Sequence, residues 1–126
     1  YHIGVIKALW DQHLLPRVVS GSSSGSLVAS LLCTTPDEKM HELFEPGKIN
    51  LQTFEQSGSV RRKISRLWKK GVIMDIKKLQ SVIRENIGDI TFKEAFEKTK
   101  RILNITVTTT TTNDAPRLLN YITTPD

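Results

Sequence analysis

The 126-residue chain has a single cysteine, Cys33, so no internal disulfide can brace it. Set among Val28, Leu31 and Leu32, that thiol is expected to be buried and reduced, as in an intracellular protein, in preference to a reactive site. No apolar run approaches the roughly 18 residues of a membrane span, so the chain is not expected to be integral. "YHIGVIKALW" has no basic leader and no small-residue cleavage site, so this stretch is not expected to be a signal peptide. Aromatic residues make up only 6% of the chain, and no nucleic-acid motif accompanies them, which argues against a nucleic-acid partner. Neither a metal-ligand cluster nor a dinucleotide fingerprint is present, so neither a metal nor an organic cofactor is implied. There is no internal repeat and no initiating Met, and "ITTPD" stops just past an expected strand. The chain is therefore expected to be a fragment of a larger domain.

What remains is an ordinary globular composition, 38% hydrophobic and 25% charged, sized for one domain. Ile3, Val5, Ile6, Leu9 and Trp10 recur at helical spacing and predict a first helix over residues 3–13, ended by Leu14-Leu15-Pro16. Residues 17–20, Arg-Val-Val-Ser, read as a short buried strand running into Gly21. Leu27, Val28, Leu31 and Leu32 then return to helical spacing, with Ser26, Ala29 and Ser30 as a small face for close packing. Thr35-Pro36-Asp37-Glu38 reads as a capped helix start, extending to Phe44. Val60, Ile64, Leu67 and Trp68 form a stripe on a helix ended by Gly71. Another helix follows from an Asp75 cap to about Gly88, and Thr91-Phe92-Lys93-Glu94 is a capping box opening a further one. Strands are expected over residues 103–110 and 118–122, separated by the Asn113-Asp114-Ala115-Pro116 turn.

One pattern carries chemistry. Gly21-Ser22-Ser23-Ser24-Gly25 fits G-x-S-x-G in a single frame, with Ser23 central. Five-residue patterns of small residues are common, but this one lies between a strand and a helix, the context a nucleophile elbow needs. A serine hydroxyl is a poor nucleophile until a base takes its proton. A tight turn would present the Ser23 Oγ above the sheet edge, with glycines at both ends because β-carbons there would collide. The helix beginning near Ser24 would point its N–H groups at the forming oxyanion. Ser20, Ser22, Ser24 and Ser26 read as small residues that the turn tolerates. A Gly/Ser-rich connection without chemistry is the competing reading.

The base is not evident. A Ser-Asp-His order needs a later acid and a later histidine. His41 is the sole histidine after Ser23, and Asp37 and Glu38 lie on its own short helix, so no triad can be completed. His41 reads as a solvated helix residue, and His2 and His13 as surface positions flanking the first helix.

Three stretches together resemble the patatin-like phospholipase family, closest to its fungal triacylglycerol lipase branch: "YHIGVIKALWDQHLLPRVVSGSSSGSLVASLLCT", "FEQSGSVRRKISRLWKKGVIMDIKKLQSVIRENIGDITFKEAFEKT" and "LNITVTTTTTNDAPRLLNYITTPD". The resemblance implies a three-layer α/β/α sandwich with a mainly parallel sheet, here incomplete at both ends. It also implies a Ser-Asp dyad whose serine falls on Ser23, in an elbow over residues 17–33 flanked by Gly21, Ser22, Ser24 and Gly25. The family aspartate belongs to an Asp-Gly-Gly or Asp-Gly-Ala tripeptide, which this chain lacks. Asp89, Asp114 and Asp126 do not fit it, and none is assigned as the base. The glycine-rich oxyanion loop that precedes the first helix in the family is also absent from this sequence. A partial domain over residues 1–126 is thus expected, nearly inactive in isolation.

The remaining feature is charge. Residues 59–84 hold nine basic side chains against one acid, Asp75, a local +8 in a chain of net +5, so the remainder carries −3. In this basic helical insert, about residues 59–88, Arg61, Arg62, Arg66, Lys69 and Lys70 beside Trp68 could meet an anionic lipid surface. A solvated face over a core-facing stripe is the alternative. Together with the resemblance these features predict an intracellular serine acyl hydrolase cleaving lipid esters, with triacylglycerol the expected substrate and phospholipid hydrolysis or acyl transfer left open, at a lipid droplet or peripheral membrane surface. The rival class is a catalytically inactive patatin-like module that binds lipid or protein. Oligomeric state is not legible.

Overall fold

The computed structural model describes residues 1–45, 76–108 and 115–126. The expected stripe helix, the Asp75 cap and most of the basic insert lie outside the described residues. Helix α1 (His2–Asp11) leads to strand β1 (Val18–Gly21) and helix α2 (Ser24–Thr34). A 3-10 turn (Asp37–Lys39) and helix α3 (Met40–Phe44) follow. After the gap come α4 (Ile76–Ile87), α5 (Phe92–Thr99), β2 (Ile102–Val107) and β3 (Arg117–Leu119).

The strands lie in the order β1-β2-β3. β1 and β2 are parallel, pairing Val18 with Ile102 and Gly21 with Ile105. β3 returns antiparallel to β2, with Leu119 opposite Ile105. This is a small mixed α/β sheet. Side chains alternate across it, and one face is covered. There Val19, Leu103 and Ile105 pack with Ala29 and Cys33 of α2 and Phe92 of α5. Val19 also joins a second cluster of Leu31, Leu32, Met40 and Leu43, to which Ile6 and Trp10 of α1 add. The other face is open among the described residues, leaving Val18 54% and Leu118 46% exposed.

α2 is the central element, touching β1, β2 and the other helices. Ala29, Leu31, Leu32, Cys33 and Thr34 are all buried. The Cys33 thiol is free and buried, as its apolar setting implied. Desolvation pushes its pKa up to about 11, against a smaller opposing pull from the Arg101 charge. That keeps it a thiol at neutral pH.

The far end of α2 is held by a residue the sequence did not flag. Arg101 is 7% exposed, and its guanidinium donates to the carbonyls of Leu32 (3.2 Å) and Thr35 (3.0 Å) while pairing with Asp37. Those carbonyls belong to the turn where the helix leaves its last acceptors without intrahelical donors. Thr99 adds a hydroxyl bond to the Cys33 carbonyl at 2.8 Å. A cation at a helix C-terminus also meets the negative end of the helix dipole.

Several boundaries depart from expectation. α1 stops at Asp11, ahead of Pro16, because His13 takes a left-handed φ of 56° and Leu14 N–H bonds back to the Leu9 carbonyl at 2.8 Å. Thr35 does not cap a new helix. Its hydroxyl donates to the Leu31 carbonyl at 2.7 Å, closing α2, and the chain makes a 3-10 turn before α3. β3 ends at Leu119, short of Ile122, because the Asn120 Oδ1 accepts from Ile122 N–H (2.9 Å) and Thr123 N–H (3.0 Å), folding the backbone into a turn. The Thr91–Glu94 capping box forms as expected, in both directions.

Removing the Arg101 fork takes its donors from the Leu32 carbonyl of α2 and from the carbonyl of Thr35, the residue that caps it. Arg101→Ala is expected to lower stability by about 1–3 kcal/mol. Asp37→Ala should cost under about 1 kcal/mol, since that carboxylate is 66% exposed. Thermal unfolding of the full-length protein, with hydrogen exchange in α2 as the local probe, distinguishes the two.

Candidate active site

The elbow forms between β1 and α2. Gly21 ends the strand, and a β-carbon there would lie 2.5 Å from the Gly25 carbonyl oxygen and 2.8 Å from the Ser26 Cα. No real side chain survives such distances to backbone, so the first glycine is a steric requirement. Gly25 is different. A β-carbon on it meets nothing within 4 Å, so the expected collision at the second glycine does not occur.

Ser23 stands at the helix N-cap with φ 50° and ψ −127°. For a residue with a side chain, this left-handed φ costs on the order of 1–3 kcal/mol. Serine is a favoured capping residue, yet the Ser23 side chain makes no cap hydrogen bond and is exposed. Its backbone carbonyl instead receives the Ser26 hydroxyl at 2.6 Å and the Ser26 N–H at 3.1 Å, while Gly25 N–H bonds to the Ser22 carbonyl at 2.9 Å. The turn is thus held by backbone and by Ser26, and the Ser23 hydroxyl is left pointing out of the network. The N–H of Ser24, the residue after the nucleophile position, lies at the positive end of α2, where an oxyanion donor is required.

A cleft of about 440 Å³ opens beside the elbow, between α1 and α2. Ser22, Ser24 and Gly25 border it on the elbow side, and His2 at the start of α1. On the open face of the sheet a row of polar side chains begins at the same level. Asn104 Nδ2 approaches Ser20 Oγ at 3.4 Å, and Asn120 Nδ2 donates to Asn104 Oδ1 at 3.0 Å. The alternation in β2 marked Asn104 only as a solvent-facing position. The β1-β2 register is what aligns it with Ser20.

The remaining titratable candidates are elsewhere. His41 is exposed on α3, which packs at the far end of α2, about 16 Å along that helix from the elbow. Asp89 is exposed and paired with Arg84 at 3.2 Å. Asp126 is exposed, and Asp114 lies outside the described residues. So do Arg61, Arg62, Arg66, Trp68, Lys69 and Lys70. Among the described residues, no three His, Cys, Asp or Glu side chains converge to hold a metal ion, and no helix is long and apolar enough to cross a membrane.

A strand-turn-helix with a strained, uncapped serine narrows the family, and comparison decides it. The patatin-like phospholipase family model matches residues 1–126. The chain belongs to that family. It is 42% identical over 134 residues to triacylglycerol lipase 4 of Saccharomyces cerevisiae, covering 100% of this chain and 15% of that protein. Against triacylglycerol lipase ptl1 of Schizosaccharomyces pombe it is 40% identical over 131 residues, covering 100% of the chain and 23% of the relative. A plant protein, triacylglycerol lipase SDP1L of Arabidopsis thaliana, is 37% identical over 125 residues, covering 99% and 16% respectively. The chain thus spans less than a quarter of the length of these relatives. No solved structure matches it.

The two glycines give a paired test. Gly21→Ala should cost about 1–3 kcal/mol by overpacking against backbone. Gly25→Ala should be neutral or slightly stabilising, since a helical alanine is favoured and its β-carbon is free of contacts. Melting temperatures of the two variants should therefore move apart.

Proposed function

We propose that this patatin-like segment carries the nucleophile of a lipid ester hydrolase, with Ser23 as the attacking residue. The observation that carries the reading is the Ser23 backbone, a non-glycine residue held at φ 50° with its hydroxyl in no capping bond. Strain of this kind at a strand-helix junction suits a residue selected for presentation and not for packing. The Oγ attacks the ester carbonyl carbon, and a general base takes the hydroxyl proton. The alcohol then leaves with a proton, and water cleaves the acyl-enzyme to the free fatty acid. The Ser24 N–H supports the oxyanion. The base is an aspartate, as the family resemblance implies, and this sequence does not contain the tripeptide that would supply it.

The substrate class follows the relatives, which are named triacylglycerol lipases; phospholipid is the alternative ester. The complete domain is a three-layer α/β/α sandwich with a mainly parallel sheet, and the open sheet face exposing Val18 and Leu118 supports a further layer. The protein works intracellularly at a lipid droplet or peripheral membrane surface.

In the full-length protein, Ser23→Ala should abolish ester hydrolysis, by on the order of a millionfold for a paired serine nucleophile. Labelling by a fluorophosphonate probe should vanish with it, while the melting temperature holds. Retained hydrolysis would make the elbow structural and favour a binding module.

Surface docking is the role proposed for Arg61, Arg62, Arg66, Trp68, Lys69 and Lys70. Each basic side chain near an anionic membrane is worth about 1 kcal/mol. Charge reversal at Arg61, Arg62, Arg66 and Lys69 should therefore weaken binding to anionic liposomes more than hydrolysis of a soluble ester. Salt should mimic the variant by screening. Equal loss of both activities together with stability would mark the segment as packing.

A further inference from the structure

We propose that the Ser20 hydroxyl donates a hydrogen bond to the carboxylate that takes the Ser23 proton, with the Asn104 and Asn120 amides fixing its direction. This makes Ser20 a positioning residue, and the assignment rests on the hydrolase reading above. Ser20 is next to last in β1, and the parallel register sets it opposite Asn104 of β2. In open α/β sheets, sites form outside the carboxyl ends of the strands, and Ser20 stands at that end of β1.

The direction of the row follows from two backbone donors. At the turn after β3 the Asn120 Oδ1 accepts from Ile122 N–H at 2.9 Å and Thr123 N–H at 3.0 Å. A backbone N–H can only donate, so the Asn120 amide oxygen must face the turn and its Nδ2 must face β2. There Nδ2 donates to Asn104 Oδ1 at 3.0 Å, which turns the Asn104 Nδ2 toward Ser20 Oγ, 3.4 Å away. An amide N–H facing a hydroxyl oxygen leaves the hydroxyl proton on the other side. Among the described residues that proton meets no acceptor. The turn that sets this polarity is itself held. Tyr121 stacks on Phe96 of α5 with ring centroids 4.3 Å apart, and Lys93 N–H donates to the Pro125 carbonyl at 3.2 Å.

A carboxylate that serves as a base must stay ionised, and hydrogen bonds to its charged form hold it so. Among the described residues no Lys or Arg lines the cleft beside the elbow, which leaves neutral donors for that task. The Ser26 hydroxyl is spent on the Ser23 carbonyl. Ser22 and Ser24 carry hydroxyls, but no described side chain orients them. Ser20 offers a donor whose direction is set before the reaction begins, so nothing has to reorganise when charge moves. Few titratable groups stand near it. β2 and β3 present neutral amides at this level, and α2 presents Ser24 and Gly25. α1 and the residue before it bring the His2 imidazole and the Tyr1 phenol to the cleft that Ser20 also borders.

The test is the pH dependence of kcat/KM for p-nitrophenyl butyrate, measured on the full-length protein. The acidic limb reports the pKa of the base in the free enzyme. Its position, unlike its height, does not depend on how much of the protein is folded. Losing a donor to the charged form raises that pKa. In Ser20→Ala the limb should therefore move up by about one pH unit, about a tenfold loss of rate below it. Ser20→Thr keeps the hydroxyl and should restore the wild-type limb. Asn120→Asp keeps oxygen acceptors for the turn but sets an acceptor against Asn104, whose amide must reverse and draw the Ser20 proton into the row. Its limb should also rise, and combining it with Ser20→Ala should shift the limb no further. An unmoved limb in Ser20→Ala overturns the proposal, and a higher KM beside it would put the donor on the ester. Additive shifts in the double variant overturn the row, leaving only the added charge. A limb that moves in His2→Gln overturns the carboxylate, because the imidazole would then be the base. If the wild-type protein hydrolyses no ester, the hydrolase reading fails and the assignment falls with it. If Ser23→Ala is inactive while the Ser20→Ala limb stays fixed, the assignment alone fails.

Discussion

The structure depends on one backbone approach. Where β1 meets α2, the Gly21 Cα sits so close to the Gly25 carbonyl that a single added carbon would lie 2.5 Å from its oxygen. That approach sets the direction in which α2 leaves the sheet. The direction of α2 in turn decides where Ala29 and Cys33 meet Leu103, and where Leu31 and Leu32 meet Met40 and Leu43. The same turn forces Ser23 to a positive φ. The fold and the candidate nucleophile therefore share one constraint.

α2 is fixed at its other end by a different kind of force. The Arg101 guanidinium gathers the Leu32 and Thr35 carbonyls and the Asp37 carboxylate, linking positions 64–69 residues apart in sequence. Steric closeness holds the N-terminus and charge-assisted hydrogen bonding holds the C-terminus. Between them the helix is packed on several sides. Such a helix makes a rigid mount for a side chain at its N-cap.

Legibility in the sequence followed the range of the interaction. The elbow, the Thr91–Glu94 capping box, the alternation of β2 and the burial of Cys33 all rest on neighbours within a few residues, and they were readable. Arg101 was not, because a basic residue beside Lys98 and Lys100 and ahead of a strand carries no mark of carbonyls 66 and 69 positions away. Asn104 looked like an ordinary polar position until the register set it between Ser20 and Asn120. Thr35 misled because a threonine before Pro36 suits a helix start. A threonine four residues after a helical carbonyl suits a helix end equally well, and the Leu31 carbonyl took the hydroxyl. The second glycine misled in a subtler way. Its motif was legible, but the collision expected there does not occur, because an added β-carbon would meet nothing within 4 Å.

Magnitudes explain why the strained serine can persist. A left-handed φ at a non-glycine residue costs on the order of 1–3 kcal/mol. Full burial of one leucine or methionine side chain contributes about 1.5–3 kcal/mol. Leu32 and Met40 are both almost wholly buried in the cluster that α2 organises, so either contact alone is comparable to the cost at Ser23. A relaxed Ser23 would have to re-aim α2 and give up several such contacts together, along with the Arg101 bonds at its far end. The serine is therefore held in an unfavourable conformation by packing that begins two turns away. It follows that the buried stretch of α2, with Leu31, Leu32 and Cys33, is as much a determinant of the elbow as the glycines on either side of it.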